Sequence, residues 1–352
     1  MMSLISTYFG RVYKELRGEI LVLPSRTIAL LFCVALLLIP LITSEPYTLR
    51  IFILASIFAI FAASWDLLSG FTGQLNLGHA LFFGVAAYTS AILNLNFGLP
   101  PWLTIPLGAL AAVLAGLVVG VPCLRLRGPY LALATLAFPL ILTGIVFTIP
   151  SVTGGELGVS GIDRLSGSRQ TDYYIAVTVM IILGFVMWKI SDSKTGIIFH
   201  AIREDEVAVR ASGINTTKYK LAAFCLSGLF AGVAGGLYVH FIRIAGPSTL
   251  ELMLSFQAII WAVFGGIGTI YGPIVGVFIL VPLTEYLRDL PGTTLPEMRM
   301  LLIAIIVLLV LLFMPEGLTT RVRDKIEKVC PRCKLRNIAT RRACRVCRAD
   351  LG

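Results

Sequence analysis

Charge is scarce in this sequence. Asp, Glu, Lys and Arg make up 14% of its 352 residues, against 57% hydrophobic residues and a mean hydropathy of +0.90. Soluble domains carry roughly a quarter charged residues, so a soluble fold of this size could not cover its apolar surface. Other absences narrow the chemistry. No GxxxxGK[ST] occurs, and the glycine-rich run Gly265–Gly272 has no lysine to reach a phosphate, so the chain is not expected to hydrolyse nucleotide. HExxH, GxSxG and a Ser/His/Asp order are also missing, which leaves a membrane enzyme without support. The three histidines, His79, His200 and His240, lie far apart and read as packing or hydrogen-bonding residues. Ionisable groups in or beside apolar segments are few: Asp66, His79 and Glu285. Such a group in lipid is by default a functional candidate. Asp66 and Glu285 could equally sit at headgroup level, and no string of acids suggests a proton-coupled pump.

What is abundant is apolar runs. A bilayer core takes about 20 apolar residues per helix, and segments appear at 27–43, 50–69, 79–96, 102–123, 130–150, 173–190, 220–242, 253–267, 270–287 and 299–314. The expected fold is therefore an all-α polytopic membrane protein of about ten spans, several broken by glycine. Ahead of them, Ile5, Phe9, Val12, Tyr13, Leu16 and Ile20 recur at helical spacing. They predict an amphipathic helix in the membrane interface, the alternative being a disordered basic leader. No small-residue cleavage site marks residues 1–26 as a secretory signal.

The net charge of +10 resembles a nucleic-acid signal until it is located. Eleven Lys/Arg against Asp324, Glu327 and Asp350 put +8 of it after residue 320, so no nucleic-acid partner is expected. The other basic residues test topology through the positive-inside rule. Arg11, Lys14, Arg17 and Arg26, then Arg125 and Arg127, then Lys189 to Lys220, then the tail are separated by even numbers of spans. Residues 44–49 carry no basic residue and 243–252 only Arg243. Both termini are thus expected in the cytoplasm of a cell whose plasma or inner membrane holds the chain.

Two stretches break the helical monotony: Ser69–His79 and Gly265–Pro273. Irregular backbone at membrane depth is tolerated where it is buried in protein or lines a cavity, and paired broken segments point to a transport pathway. Thr72, Gln74, Asn76, His79, Gly266 and Gly268 are the pathway candidates, against the plainer reading of Gly-rich turns and close helix packing. In the long charged loop, Glu204, Asp205 and Glu206 are expected to open a short helix with Arg210 near its end, complementing the helix dipole. Gly213 is placed to stop it, and Asn215 or Thr216 to cap the next helix. Ala201, Ala208, Ala211 and Ser212 give it a small-residue side. Such a helix suits a partner's groove or serves as an ordinary connector.

These blocks together resemble the permeases of branched-chain amino-acid importers of the ATP-binding cassette class, a family that includes urea and short-chain amide permeases. Gly70–Tyr88, Leu126–Phe138, Ala201–Glu206 with Gly213–Asn215, Val263–Pro273 and Met314–Gly317 carry the resemblance, which covers roughly 27–320. It implies import of branched-chain or related amino acids, with a urea or amide cargo, or a stand-alone secondary transporter, as the alternatives. It also implies that Ala201–Gly213 is a coupling helix on the ATPase, with Ala201, Arg203, Glu204, Asp205, Glu206, Ala208 and Gly213 as its residues. The implied partners are a homologous second permease, two ATPase subunits that use ATP, and an extracytoplasmic binding protein. The chain then divides into an arm (1–26), a permease domain (27–320) and a basic tail (321–352).

The tail departs from that family. Cys330-Pro-Arg-Cys333 and Cys344-Arg-Val-Cys347 supply four thiolates at the spacing of a tetrahedral structural zinc, a small zinc-ribbon-like module. In the cytoplasm disulfides are disfavoured, leaving free or lipidated thiols as the alternative. Cys33, Cys123 and Cys225 read as packing residues.

Overall fold

The structure, a computed structural model, describes residues 24–43, 45–123, 126, 128–287, 296–331, 336–339, 344, 347 and 350. The helix expected through Ile5 to Ile20, together with Arg125, Arg127 and Cys333, lies outside the described residues. The chain forms two compact units, Ser44–Gly317 and a second drawn from Met1–Thr43 and Leu318–Gly352.

Each of the ten apolar segments is a helix. Among the described residues seven helical stretches are long and apolar enough to cross a membrane, and three shorter apolar helices accompany them. In the larger unit these are α2 (Pro46–Trp65), α3 (Ala80–Phe97), α4 (Pro101–Cys123), α5 (Pro129–Thr148), α7 (Arg169–Ser191), α10 (Thr216–Ile242), α11 (Leu252–Gly265), α12 (Tyr271–Tyr286) and α13 (Pro296–Phe313). The short helices α6 (Pro150–Thr153), α8 (Lys194–Glu204) and α9 (Glu206–Ala211) connect them. The all-α polytopic fold is thus as expected.

Local chemistry sets the helix starts. Prolines stand in the first turn of α2, α5 and α6, where the missing N–H would have no intrahelical partner. Ser168 and Asn215 cap α7 and α10 by accepting from Thr171 N (3.2 Å) and Lys218 N (3.1 Å). The capping expected of Asn215 or Thr216 therefore falls to Asn215.

Helix α2 continues through a π-helical turn, Asp66–Gly70, into one element that is the axis of the bundle. Its apolar window is 83% buried, against 22% for α7 and 28% for α5, whose faces are left for lipid or another subunit. Around the axis α10 packs on α3 and α4 through small residues. A side chain at Gly232 would lie 2.8 Å from Ala109 Cα, and one at Gly235 would overlap the Phe83 backbone. Close approach of this kind is how membrane helices gain packing without a hydrophobic drive between them. Phe61 and Phe83 meet edge-on at 5.1 Å, and Phe58 lies 5.2 Å from Trp261.

At one end of the bundle β1 (Val159–Ser160) pairs with β2 (Ile244–Ala245), antiparallel, Val159 opposite Ala245. Asn94 Oδ1 accepts from Asp163 N (2.9 Å) while its Nδ2 donates to Asp163 Oδ2 (2.9 Å). His240 joins Thr104 Oγ1 (2.7 Å) and the Asp163 carbonyl (2.9 Å), the packing and hydrogen-bonding role expected of it. This short ladder was not expected; two-residue strands leave no alternation to read.

The smaller unit contains α1 (Pro24–Ile42), α14 (Leu318–Ile326) and a hairpin of β3 (Glu327–Val329) with β4 (Arg336–Ile338), Lys328 opposite Asn337. Cys330 directly follows β3, and Cys344 and Cys347 come after β4 in the sequence.

Candidate functional site: the broken-helix end

The opposite end of the bundle carries both glycine-rich stretches and the charged loop. Asp66, fully buried, joins the two stretches. Its Oδ1 accepts from Gly268 N at 2.8 Å and its Oδ2 from Thr269 N at 3.0 Å. These N–H groups are exposed because the chain between α11 and α12 is not helical: Gly266 and Gly268 have φ of +123° and +77°, which L side chains rarely adopt. Asp66 is thus placed in the protein interior.

Arg203 lies across this junction. Its Nη1 donates to the Gly70 carbonyl, and the same nitrogen is 3.0 Å from where a side chain at Gly268 would begin. A side chain at Gly73 would meet Arg203 Cγ at 3.3 Å, and one at Gly70 would overlap the Asp66 carboxylate. The glycines at 70, 73 and 268 therefore make room for one arginine and one aspartate.

The other expected pathway residues are buried here too. Thr72 donates to Leu68 O (2.7 Å) and accepts from Gln74 Nε2 (2.8 Å), which also reaches Lys220 O (3.3 Å). Asn76 receives Trp65 Nε1 on its carbonyl at 2.7 Å, and His79 Nε2 meets Ser64 Oγ at 2.9 Å. His79 is a hydrogen-bonding residue, as expected, and His200 packs its ring 4.7 Å from Phe71. Burial lowers the His200 pKa, with Arg203 adding to the effect and Glu204 opposing it.

The charged loop differs in detail from its expected form. Glu204 closes α8, and α9 begins only at Glu206. Asp205 between them is the N-cap, its Oδ1 accepting from Val207 N (2.8 Å) and Ala208 N (3.0 Å). Gly213, at φ +82°, ends the element as expected. Glu206 is engaged within the chain: its carboxylate holds Arg210 (2.7 Å), Thr216 (3.2 Å) and Lys220. Burial alone would raise its pKa, but Lys220, Thr216 and Arg210 together hold it below the usual carboxylate range. The small-residue side is not packed within this chain. Ala208, Ala211 and Ser212 are exposed and Ala201 is half-buried. Val207 is 69% exposed beside them.

All the blocks singled out in the sequence meet here. Leu77 N donates to Thr135 Oγ1 (3.1 Å), and a side chain at Gly317, φ +85°, would overlap Gly266. Residues 47–311 match the family described as branched-chain amino acid transport system / permease component. The chain belongs to this family. The permease is 30% identical to the high-affinity branched-chain amino acid transport system permease protein LivM of Salmonella typhimurium, over 92% of this chain and 84% of that one. It is 25% identical to the probable branched-chain amino acid transport permease protein LivH of Methanocaldococcus jannaschii, over 70% and 84%. It is 23% identical to the guanosine ABC transporter permease protein NupQ of Bacillus subtilis, over 63% and 78%. No solved structure matches. The permease is a multi-pass membrane protein and a transport subunit, not an enzyme.

In the smaller unit, which lies beyond the family match, the Sγ atoms of Cys330, Cys344 and Cys347 all fall within 4.8 Å of one another. Cys330 and Cys347 are 3.4 Å apart, too far for a disulfide of about 2.05 Å. Asn337 Nδ2 lies 3.5 Å from Cys344 Sγ, a donor of the kind that steadies a thiolate ligand. Three converging, largely buried sulfurs could hold a metal. Cys33, Cys123 and Cys225 are unpaired thiols in the apolar helices α1, α4 and α10.

Proposed function

We propose that this permease carries branched-chain amino acids into the cell and is driven by ATPase subunits seated against α8 and α9. One observation carries the reading: Arg203, in the charged loop, bonds to Gly70 O, while Asp66, four residues before Gly70, spans to Gly268 and Thr269. A push on the end of α8 therefore reaches both broken helices through the bonds of Arg203 and Asp66. In this reading Ala201, Val207, Ala208 and Ala211 face the ATPase, while Asp205, Glu206 and Gly213 build the element. Both termini face the cytoplasm of a cell with this chain in its plasma or inner membrane. A homologous second permease completes the pathway, an extracytoplasmic binding protein delivers the cargo, and Thr72, Gln74, Asn76, His79, Gly266 and Gly268 belong to a gate at the cytoplasmic end. The guanosine permease among the relatives keeps a second cargo class open, as does the urea and amide branch. A metal in the tail would be zinc on Cys330, Cys344, Cys347 and Cys333, contributing fold stability where so short a segment has little core. Metal analysis should find one zinc per chain, lost in Cys344→Ser; unchanged content in that variant would reject the site.

The test is reconstitution with the partner ATPase, second permease and binding protein. Leucine uptake should require ATP, and Ala208→Arg, at an exposed position that leaves the capping intact, should abolish both uptake and ATPase retention. Uptake by this chain alone on an ion gradient would refute the reading.

A further inference from the structure

A cavity of about 160 Å³ lies between the first broken stretch, the start of α5 and the charged loop. By the same measure one water needs about 10–15 Å³, so the space is far larger than a single buried water requires. Its wall has three kinds of surface. Gln74, 3% exposed, contributes a side-chain oxygen with no hydrogen-bond partner. The amide orientation is fixed, because its nitrogen must face the Lys220 carbonyl and the Thr72 hydroxyl, whose own proton goes to Leu68 O. Arg203 supplies a guanidinium with one nitrogen committed to Gly70 O, Lys220 an ammonium, and Glu206 a carboxylate already held by Arg210, Thr216 and that same Lys220. Leu126, Leu131 and Ile202 make the apolar side.

We propose that this cavity binds the carried amino acid from the cytoplasmic side. The unpartnered Gln74 oxygen suits an ammonium, the Arg203 guanidinium with Lys220 beside it suits a carboxylate, and the leucine and isoleucine surface suits a branched apolar side chain. A neutral amide or a bare anion would leave one of the three surfaces unmatched. The occupant would bridge Gln74 of the broken stretch to Arg203 of α8 and so restrain the element that receives the ATPase. Accumulated cargo thereby slows its own import. This inference rests on the permease reading and on the orientation given with it.

The test uses the complete complex without the binding protein, titrated with radiolabelled leucine by equilibrium dialysis. Saturable binding of one leucine per chain is expected, weakened about tenfold or more in Gln74→Leu. Leu126→Trp, which fills the cavity from a half-exposed loop position, should do the same and covers the case in which Gln74→Leu fails to fold. In proteoliposomes with the ATPase outward, external leucine should slow ATP hydrolysis over the same concentration range as binding. Absence of saturable binding, or binding unchanged by both substitutions, overturns the proposal. ATP-driven uptake measured in the same preparation separates the two claims: intact uptake without binding removes this site alone, whereas absent uptake counts against the permease reading.

Discussion

The two ends of the larger unit are built differently. At the end with β1 and β2, backbone pairs with backbone, Asn94 and Asp163 exchange two hydrogen bonds at 2.9 Å, and Arg243 Nε donates to Ile162 O at 3.0 Å. At the other end, among the described residues, no strands tie the segments together. Single side chains do so, Asp66 between two broken helices and Arg203 from the loop to the first of them. A ladder spreads its hold over several backbone bonds, whereas the junction hangs on single side chains whose partners can be exchanged as a set. The first construction fixes an end; the second allows it to move.

Removing the Asp66 carboxylate should have the largest effect. In Asp66→Ala the Gly268 and Thr269 N–H groups lose their acceptor in the interior, at about 1–3 kcal/mol each. Uptake should vanish and the thermal midpoint of the purified protein should fall, with Asp66→Asn, which keeps one acceptor, between the two. An unshifted midpoint in Asp66→Ala would show that the junction is not held this way. At the other end Asn94→Ala should cost stability of about 1–2 kcal/mol but leave uptake per folded molecule unchanged. Loss of transport at normal stability would erase the contrast between the ends.

The smallest effect concerns pH. Glu206 has its pKa held below the ordinary value in the folded state, so its contribution is present above the ordinary glutamate range. It is lost as pH falls through the folded value. Amide protection over 206–216, with the intrinsic pH dependence of exchange divided out, should fall on acidification in the wild type, and Glu206→Gln should show low protection at every pH. Equal pH profiles for the two proteins would remove Glu206 as the fastener of α9 to α10.

Much of this was legible in the sequence. Ten apolar runs became ten helices because length and hydropathy suffice for that inference, and Asp205, Gly213 and Asn215 act through neighbours a few residues away. The role of Asp66 was not legible. Its partners are backbone N–H groups some 200 residues distant, and a backbone donor has no sequence signature. For the same reason the glycines at 70, 73 and 268 read as helix breakers, although their shared purpose is to accommodate Arg203 and Asp66. The bonds from Glu206 to Lys220 and Arg210 were likewise hidden, because Lys220 lies fourteen residues on, in the next helix.

Coupling through Arg203 is the centre of the account, and the ratio of leucine transported to ATP hydrolysed measures it. In proteoliposomes of the complete complex, Arg203→Ala should keep ATP hydrolysis within about twofold of wild type while uptake falls about tenfold. Hydrolysis and uptake that fall together, or a ratio that stays at the wild-type value, would contradict the claim that Arg203 links the charged loop to the broken helices.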